Sequence, residues 1–350
     1  MITVLIMAGV MWGVGAAMGA PRRARWVMIG ILMVAVLLAN IVLPAGNPLR
    51  QATGGEPRLW ALVIGFAGLV WAYRFGLRAL KTRIAARDAA DAPALPTGSF
   101  TDAELDRYAR HMMLREIGGP GQKKLKNARV LVIGAGGLGS PALQYLAAAG
   151  VGTIGIVDDD EVDNSNLQRQ TIHADQNIGM PKVHSAAKTM RALNPWIEVR
   201  PYHRRLTADD AETLFADYDL ILDGSDNFPA RYLVNEIAVK LGKPLIAAAM
   251  TQWEGQISLY DPARGGPCYQ CVFPQAPAPE LVPSCAEAGV LGPLPGVVGS
   301  MMAAEAVKYI TGAGDPLRGR LMMYDALYAD TRIMKTKPRD DCHICQSRPQ

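Results

Sequence analysis

The sequence has almost no excess of charge: 36 Lys and Arg against 32 Asp and Glu leave +4 on 350 residues. So small a balance gives no global basis for holding nucleic acid, whose phosphates need dense Lys and Arg. Cysteine is sparse too. Four of the five cysteines stand in two C-x-x-C pairs, Cys268/Cys271 and Cys342/Cys345. That pattern points away from a disulfide scaffold and towards a metal site in a reducing compartment. Between Met1 and Ala20 there is no charged side chain at all. Without a basic leading segment, this stretch lacks the mark of a secretory signal.

The apolar share of the chain, 50%, is concentrated near the N-terminus. After Met1–Ala20 come the basic residues Arg22, Arg23 and Arg25, then the run Trp26–Leu43, interrupted only by Asn40. A polar loop with Pro44, Asn47, Pro48, Gly54 and Gly55 leads to a third run, Leu59–Tyr73, which carries Trp60, Trp71 and Tyr73 at its ends. Aromatics at run ends suit a membrane interface. A spanning helix needs roughly 20 apolar residues, a length that tilt and snorkelling arginines relax. We therefore expect about three transmembrane helices in residues 1–73, with the third run short. Arg22, Arg23 and Arg25 in the first loop, and Arg74, Arg78, Lys81, Arg83 and Arg87 after the third run, outweigh Arg50 and Arg58 in the middle loop. Positive loops stay inside, which places the body of a multi-pass inner-membrane protein in the cytoplasm. Residues 74–98 read as a basic helix, Phe75–Asp91, that meets anionic headgroups or water, and a linker, Ala92–Gly98.

Residues 99–350 have a different grammar. Thr101 or Ser99 can cap a helix through Tyr108 and Met112, which Gly118-Gly119-Pro120-Gly121 ends. Val130–Ile133 reads as a buried strand, Gly134–Gly139 as a glycine turn, and Ser140 onward as a helix. Strand, glycine turn and helix N-terminus together receive a nucleotide phosphate. The second strand, Thr153–Val157, ends in Asp158-Asp159-Asp160-Glu161, about 20 residues from the glycines, where a ribose-binding acid belongs. Further strands at Ile197–Arg200, Asp219–Asp223 and Pro244–Ala249 alternate with helices. An antiparallel strand, Gln256–Tyr260, a helix, Met301–Ile310, and a last strand, Arg320–Asp325, follow. We expect an α/β fold with a Rossmann-like doubly wound sheet, parallel and then antiparallel.

Ligands in such sheets lie at the carboxyl ends of the strands. Gly134–Gly139, Asp158 and Asp226 all fall there. A glycine turn alone suits a dinucleotide-dependent oxidoreductase equally well. Arg169 and Lys182 close to the second strand, with Asp226 after the fourth, instead suit a triphosphate with Mg²⁺ and attack at phosphorus. Four thiolates suit a structural tetrahedral Zn²⁺ that pins the C-terminal region. Cys285 follows the proline-rich stretch Pro274–Pro279, and its loop-like surroundings allow a reactive thiol.

With those residues in place, the chain from about Tyr108 to Gln346 resembles the ubiquitin-activating-like ThiF/MoeB/HesA adenylyltransferases. The stretches that carry the likeness are R-Y-A-R-H, V-L-V-I-G-A-G-G-L-G-S, D-D-D-E-V-D-N-S-N-L-Q-R-Q, G-M-P-K-V, L-D-G-S-D-N, W-E-G-Q-I, G-P-C-Y-Q-C-V-F, P-S-C-A-E-A-G-V-L-G-P and C-H-I-C. The resemblance implies MgATP-dependent adenylation of the C-terminal glycine carboxylate of a small ubiquitin-fold carrier protein ending in Gly-Gly. It assigns the phosphates to Gly134, Gly136, Gly137 and Gly139 and the ribose to Asp158. Asp160, Ser165, Leu167 and Gln168 line the same nucleotide. Asn166, Arg169 and Lys182 handle the triphosphate, and Asp226 beside Asn227 holds Mg²⁺. Arg110 would reach the ATP of a second subunit, which implies a homodimer. Cys268, Cys271, Cys342 and Cys345 match the zinc ligands, and Cys285 the active cysteine. Residues 1–98 have no counterpart in the resemblance. The sequence ends soon after Cys345 with no rhodanese-like segment, so a separate sulfur donor protein is expected. Two competing readings are adenylation of another acceptor, such as a tRNA base, and a membrane scaffold with a degenerate nucleotide fold. The cysteine set counts against the first and the full set of polar residues against the second.

Overall fold

The structure is a computed structural model, and it describes residues 2–44, 46–91, 99–277 and 289–346. The chain divides into two compact units, Met1–Ala94 and Leu95–Gln350.

The first unit is helical: α1 (Ile2–Ala17), α2 (Arg22–Val42), the short α3 (Pro48–Ala52) and α4 (Pro57–Asp91). The α1–α2 turn is held by Arg25, whose guanidinium lies 5.1 Å from the Trp12 ring and whose Nε donates to Ala20 O. Asn40, buried in α2, donates to Val36 O and to Thr53 Oγ1. Two stretches, Ala24–Val42 and Pro57–Leu77, are long and apolar enough to cross a membrane by length and composition, while Thr3–Ala17 is shorter. Three spans were expected, and two helices have the length. The third run and the basic helix that follows it are continuous. Arg74 interrupts the hydropathy but not the backbone, because arginine is a good helix former, so α4 is one 35-residue helix.

The second unit is built on one sheet of eight strands, in the order β3-β2-β1-β4-β5-β6-β7-β8. The strands are β1 (Arg129–Ile133), β2 (Thr153–Asp158), β3 (Glu198–His203), β4 (Leu220–Asp223), β5 (Leu245–Met250), β6 (Glu254–Tyr260), β7 (Arg320–Asp325) and β8 (Asp330–Lys335). The first five pair in parallel and the last three join antiparallel, as the sequence pattern implied. Its helices are α5 (Asp102–Met112), α6 (Gly118–Asn127), α7 (Gly139–Ala149), α8 (Lys182–Leu193), α9 (Ala208–Ala216), α10 (Phe228–Lys240), the single turn α11 (Tyr269–Val272) and α12 (Leu294–Thr311).

Successive residues of β1 point to opposite faces. Val130 and Val132 enter one core with α7, α8 and α12, while Leu131 and Ile133 enter the other with α9 and α10. A doubly wound sheet must be apolar on both faces, hence the continuous aliphatic run in β1. Pro201 is tolerated in β3 because β3 is an edge strand.

The glycine cluster at Gly118 does not stop a helix as expected. It opens α6, with Gly118 at φ +57° turning the chain out of α5. Proline three positions into a helix loses no needed N–H. Thr101 does cap α5, in a reciprocal capping box with Glu104.

Candidate active site

The turn after β1 is bound by backbone constraints that only glycine meets. Gly134 sits at φ +93° and its N–H donates to Val157 O at 2.8 Å. A Cβ on Gly139 would lie 2.0 Å from Gly134 O. The turn therefore closes tightly and leads directly into the N-terminus of α7, the kind of position that favours a phosphate.

Three loops converge on it. From β2, Asp158 Oδ2 accepts the Ala135 N–H at 2.7 Å and Oδ1 accepts from the Asp160 N–H at 2.9 Å. Burial raises the Asp158 pKa, and the nearby Lys182 charge is the largest opposing influence. Lys182, at the start of α8 and buried, places Nζ 2.7 Å from Asp160 Oδ2. Asp158, Asp159 and Asp160 bring carboxylate oxygens within 4.8 Å of one another, and Arg205 pairs with Asp159 at 3.1 Å.

The second loop is the polar stretch after β2. Asp163 caps a 3-10 turn over Asn164–Asn166, accepting from the N–H and Oγ of Ser165. Arg169 is held in turn by Asn166 Oδ1 at 3.0 Å and Ser165 O at 3.2 Å. The next residue, Gln170, is buried over Gly136, where an added Cβ would lie 3.7 Å from Gln170 Nε2. Leu167 is half-buried and Gln168 faces Gly292 across the loop.

The third loop follows β4. A Cβ on Gly134 would meet Gly224 O at 3.2 Å, so the Gly224–Ser225 backbone abuts the turn. Asp226, two residues on, is exposed, and Asn227 caps α10 by accepting from Ala230 N. Arg231 braces this loop from below: buried, it donates to Ser225 O and, at 2.8 Å, to Ala248 O. Pro295 from α12 and Met250 from the end of β5 pack against Gly137.

Eight buried side-chain polar atoms lack a partner among the described residues, and four of them, on Ser140, Gln170, Asp223 and Ser225, surround this turn. Buried polar atoms are ordinarily satisfied, so the cluster marks where a polar ligand belongs. Four residues here were given no role from the sequence: Gln170, His173, Asp223 and Arg231. Gln170 and Asp223 lie within the motif stretches, whereas Arg231 and His173 have no motif spacing to announce them, and His173 stands out only as one of five histidines.

Arg110 is not brought to the turn. Its helix α5 packs through Tyr108 on Gly150 and on Asn194, at the C-terminal ends of α7 and α8, and Arg110 itself is exposed. Cys285 lies outside the described residues.

The four paired cysteines meet. Their sulfurs lie within 4.8 Å of one another, with Cys268–Cys342 at 3.6 Å, Cys268–Cys271 at 3.7 Å and Cys271–Cys345 at 3.4 Å. Tetrahedral zinc with Zn–S near 2.3 Å sets sulfurs about 3.8 Å apart, so the set fits Zn²⁺. Without a cation, burial raises the Cys268 thiol and lifts Cys345 to about 12.

A parallel doubly wound sheet whose glycine turn is met by Asp158, Gln170 and the Gly224–Ser225 backbone, with four cysteines gathered near the C-terminus, defines a nucleotide-binding α/β protein. Residues 108–344 match the ThiF family, and the chain belongs to it. It is 50% identical over 254 residues to the sulfur carrier protein adenylyltransferase of Thermus thermophilus, an alignment covering 71% of this chain and 94% of that one. It is 54% identical over 242 residues to the "Probable adenylyltransferase/sulfurtransferase MoeZ" of Mycobacterium tuberculosis, covering 68% of this chain and 62% of that one. Among solved structures, E. coli MccB with ATP has the same fold, with a TM-score of 0.60 at 24% identity over 68% of this chain and 74% of that one. Residues 1–107, the first helical unit included, lie outside the family match.

Proposed function

We propose that this chain is a nucleotidyltransferase that uses ATP to adenylate the C-terminal carboxylate of a small ubiquitin-fold sulfur-carrier protein. The observation that supports the reading is the closed glycine turn, with Asp158 accepting from the Ala135 N–H and the Gly224–Ser225 backbone packed on Gly134; we place Lys182, Arg169 and Asp226 on its rim. The names of the relatives at 50% and 54% identity point the same way.

In this reading a carboxylate oxygen of the carrier attacks the α-phosphorus of ATP. The new O–P bond forms as the bond to the bridging oxygen breaks, and pyrophosphate leaves with that electron pair. The N–H groups of the turn and of the α7 N-terminus receive phosphate oxygens, and Asp158 takes the ribose. Lys182 and Arg169, fixed by Asp160 and Asn166, neutralise charge that builds on the leaving group; such fixed cations act most strongly where water is excluded. Asp226, beside Asn227, would hold Mg²⁺, whose charge offsets that of the triphosphate. Arg110, on the far side of its own chain, serves the neighbouring subunit's site in a homodimer. The four-cysteine set holds structural zinc.

The first helical unit tethers the enzyme to the cytoplasmic membrane. Only 11% and 6% of the two apolar stretches are buried, unlike core helices of a soluble protein. The Arg and Lys that flank them keep the catalytic unit on the cytoplasmic side.

The test incubates the purified full chain with ATP and candidate carriers ending in Gly-Gly, and looks for carrier acyl-adenylate by mass spectrometry. The adduct is expected with one carrier and not with that carrier lacking its last glycine. No adduct with any Gly-Gly carrier overturns the proposal.

A further inference from the structure

A cavity rich in Lys and Arg lies at the other edge of the sheet, where β1, β4 and β5 begin, a strand's length or roughly 15 Å from the glycine turn. It has a volume of about 740 Å³, and its lining includes Lys124, Arg129, Lys243, Arg264, Lys308 and Arg318, with Asp219 as the one acid. We propose that this cavity binds a phosphate-bearing anion, at a site distinct from the nucleotide turn.

The charges there are not balanced from within. The Asp219 carboxylate is engaged by the backbone N–H of Arg129 at 2.8 Å. The exposed guanidinium of Arg129 has no partner among the described residues. Lys124 donates to Thr311 O at 2.9 Å, and Lys243 to Tyr218 O at 2.6 Å and Ala216 O at 3.2 Å. Those carbonyls orient the ammonium groups without neutralising them. Arg264 and Arg318 share one buried carboxylate, Asp261, at 3.2 and 3.0 Å. Lys308 is paired with Glu305. Three acids therefore face six cations.

A simpler account makes these cations counter-charges for helix ends. The last residue of α6, Asn127, and Gly242 and Gly312, just beyond α10 and α12, line the cavity. Each helix C-terminus contributes about half a negative charge. Three such ends offset about half of the surplus, and a net positive site remains. Its chemistry suits a phosphate oxygen cluster, because arginine guanidinium forks match phosphate geometry and lysine adds a point charge. The phosphate could come from a soluble anion or from a lipid headgroup.

Pyrophosphate and short-chain phosphatidylglycerol separate the sources. Each is titrated calorimetrically into the full chain in zwitterionic detergent, with the nucleotide turn filled by a non-hydrolysable ATP analogue. Saturable binding of one probe is expected, and it should weaken at least tenfold in Lys124→Gln/Arg129→Gln while the affinity for the ATP analogue stays the same. Pyrophosphate binding alone assigns a soluble anion; phosphatidylglycerol binding assigns a headgroup. No saturable binding of either, or equal binding by the double variant, overturns the proposal and leaves the cations as helix caps. The double-variant comparison does not rest on the adenylation reading.

Discussion

The imidazole Nε2 of His173 lies 2.9 Å from the carbonyl oxygen of Ala135, inside the glycine turn. A carbonyl only accepts, so Nε2 carries the proton, and Nδ1, 3.0 Å from Ser185 Oγ, accepts from that hydroxyl. Ser185 also accepts from Asn177 Nδ2. The turn is thus tied to α8, three residues beyond Lys182, through a buried neutral histidine. Burial holds the His173 pKa below 6.5, against the opposing pull of its bond to Ala135.

A histidine whose folded pKa is depressed contributes stability that is complete above its unfolded pKa. That stability is lost as pH falls below about 6.5 towards the folded value, because the unfolded chain takes up the proton first. Thermal midpoint and ATP affinity should both fall between about pH 7 and pH 5.5. In His173→Gln that pH dependence should flatten, with ATP binding roughly tenfold weaker at neutral pH, equivalent to about 1.4 kcal/mol. Titration calorimetry with parallel melting curves measures both.

Lys182 is nearly buried while its partner Asp160 is two-thirds exposed. The ammonium is therefore the fixed member of the pair. Lys182→Met should lower the adenylation rate about 10²- to 10³-fold, the usual cost of losing one preorganised charge. Asp160→Asn, which frees the lysine without removing it, should cost about tenfold or less. Single-turnover formation of the acyl-adenylate distinguishes the two.

The packing of Gly139 against Gly134 allows no side chain, since an added Cβ would lie 2.0 Å from a carbonyl oxygen. Gly139→Ala should cost about 3 kcal/mol or more by forcing the backbone apart. Urea denaturation reads that loss, and nucleotide binding should fail with it.

The four-cysteine set is expected to act on stability alone. Metal analysis should find one zinc per chain, absent in Cys342→Ser. That variant should melt roughly 5–10 °C lower, a loss of about 3 kcal/mol in a unit of this size. At low temperature its adenylation rate per folded molecule should stay within about twofold. A large rate loss in folded Cys342→Ser would mean that the cysteines do more than staple.

Much of the fold could be read from the chain because the parallel strands are buried on both faces. The run Val130–Ile133 has no other use, and glycines follow it where the chain must turn sharply. The edge of the sheet was less legible. Asp330–Lys335 forms β8 with five of its six residues exposed, so no alternation of apolar and polar residues marks it. The α9 stretch is only nine residues, too short for a clear helical period. The glycines at 118–121 read as a stop, whereas Gly118 turns the chain at positive φ and the cluster forms the first turn of α6, a role that depends on tertiary packing. Within the site, the motif residues were visible. The supports beneath them, His173 and Arg231, act through backbone carbonyls, which leave no imprint on residue spacing.

The account turns on whether ATP is cleaved between its α- and β-phosphates for a protein carboxylate, and exchange of labelled pyrophosphate into ATP by the purified full chain measures this directly. The account predicts exchange that needs a carrier ending in Gly-Gly and that disappears in Asp226→Ala while the variant remains folded. Exchange absent with every such carrier, or undiminished in Asp226→Ala, would contradict it.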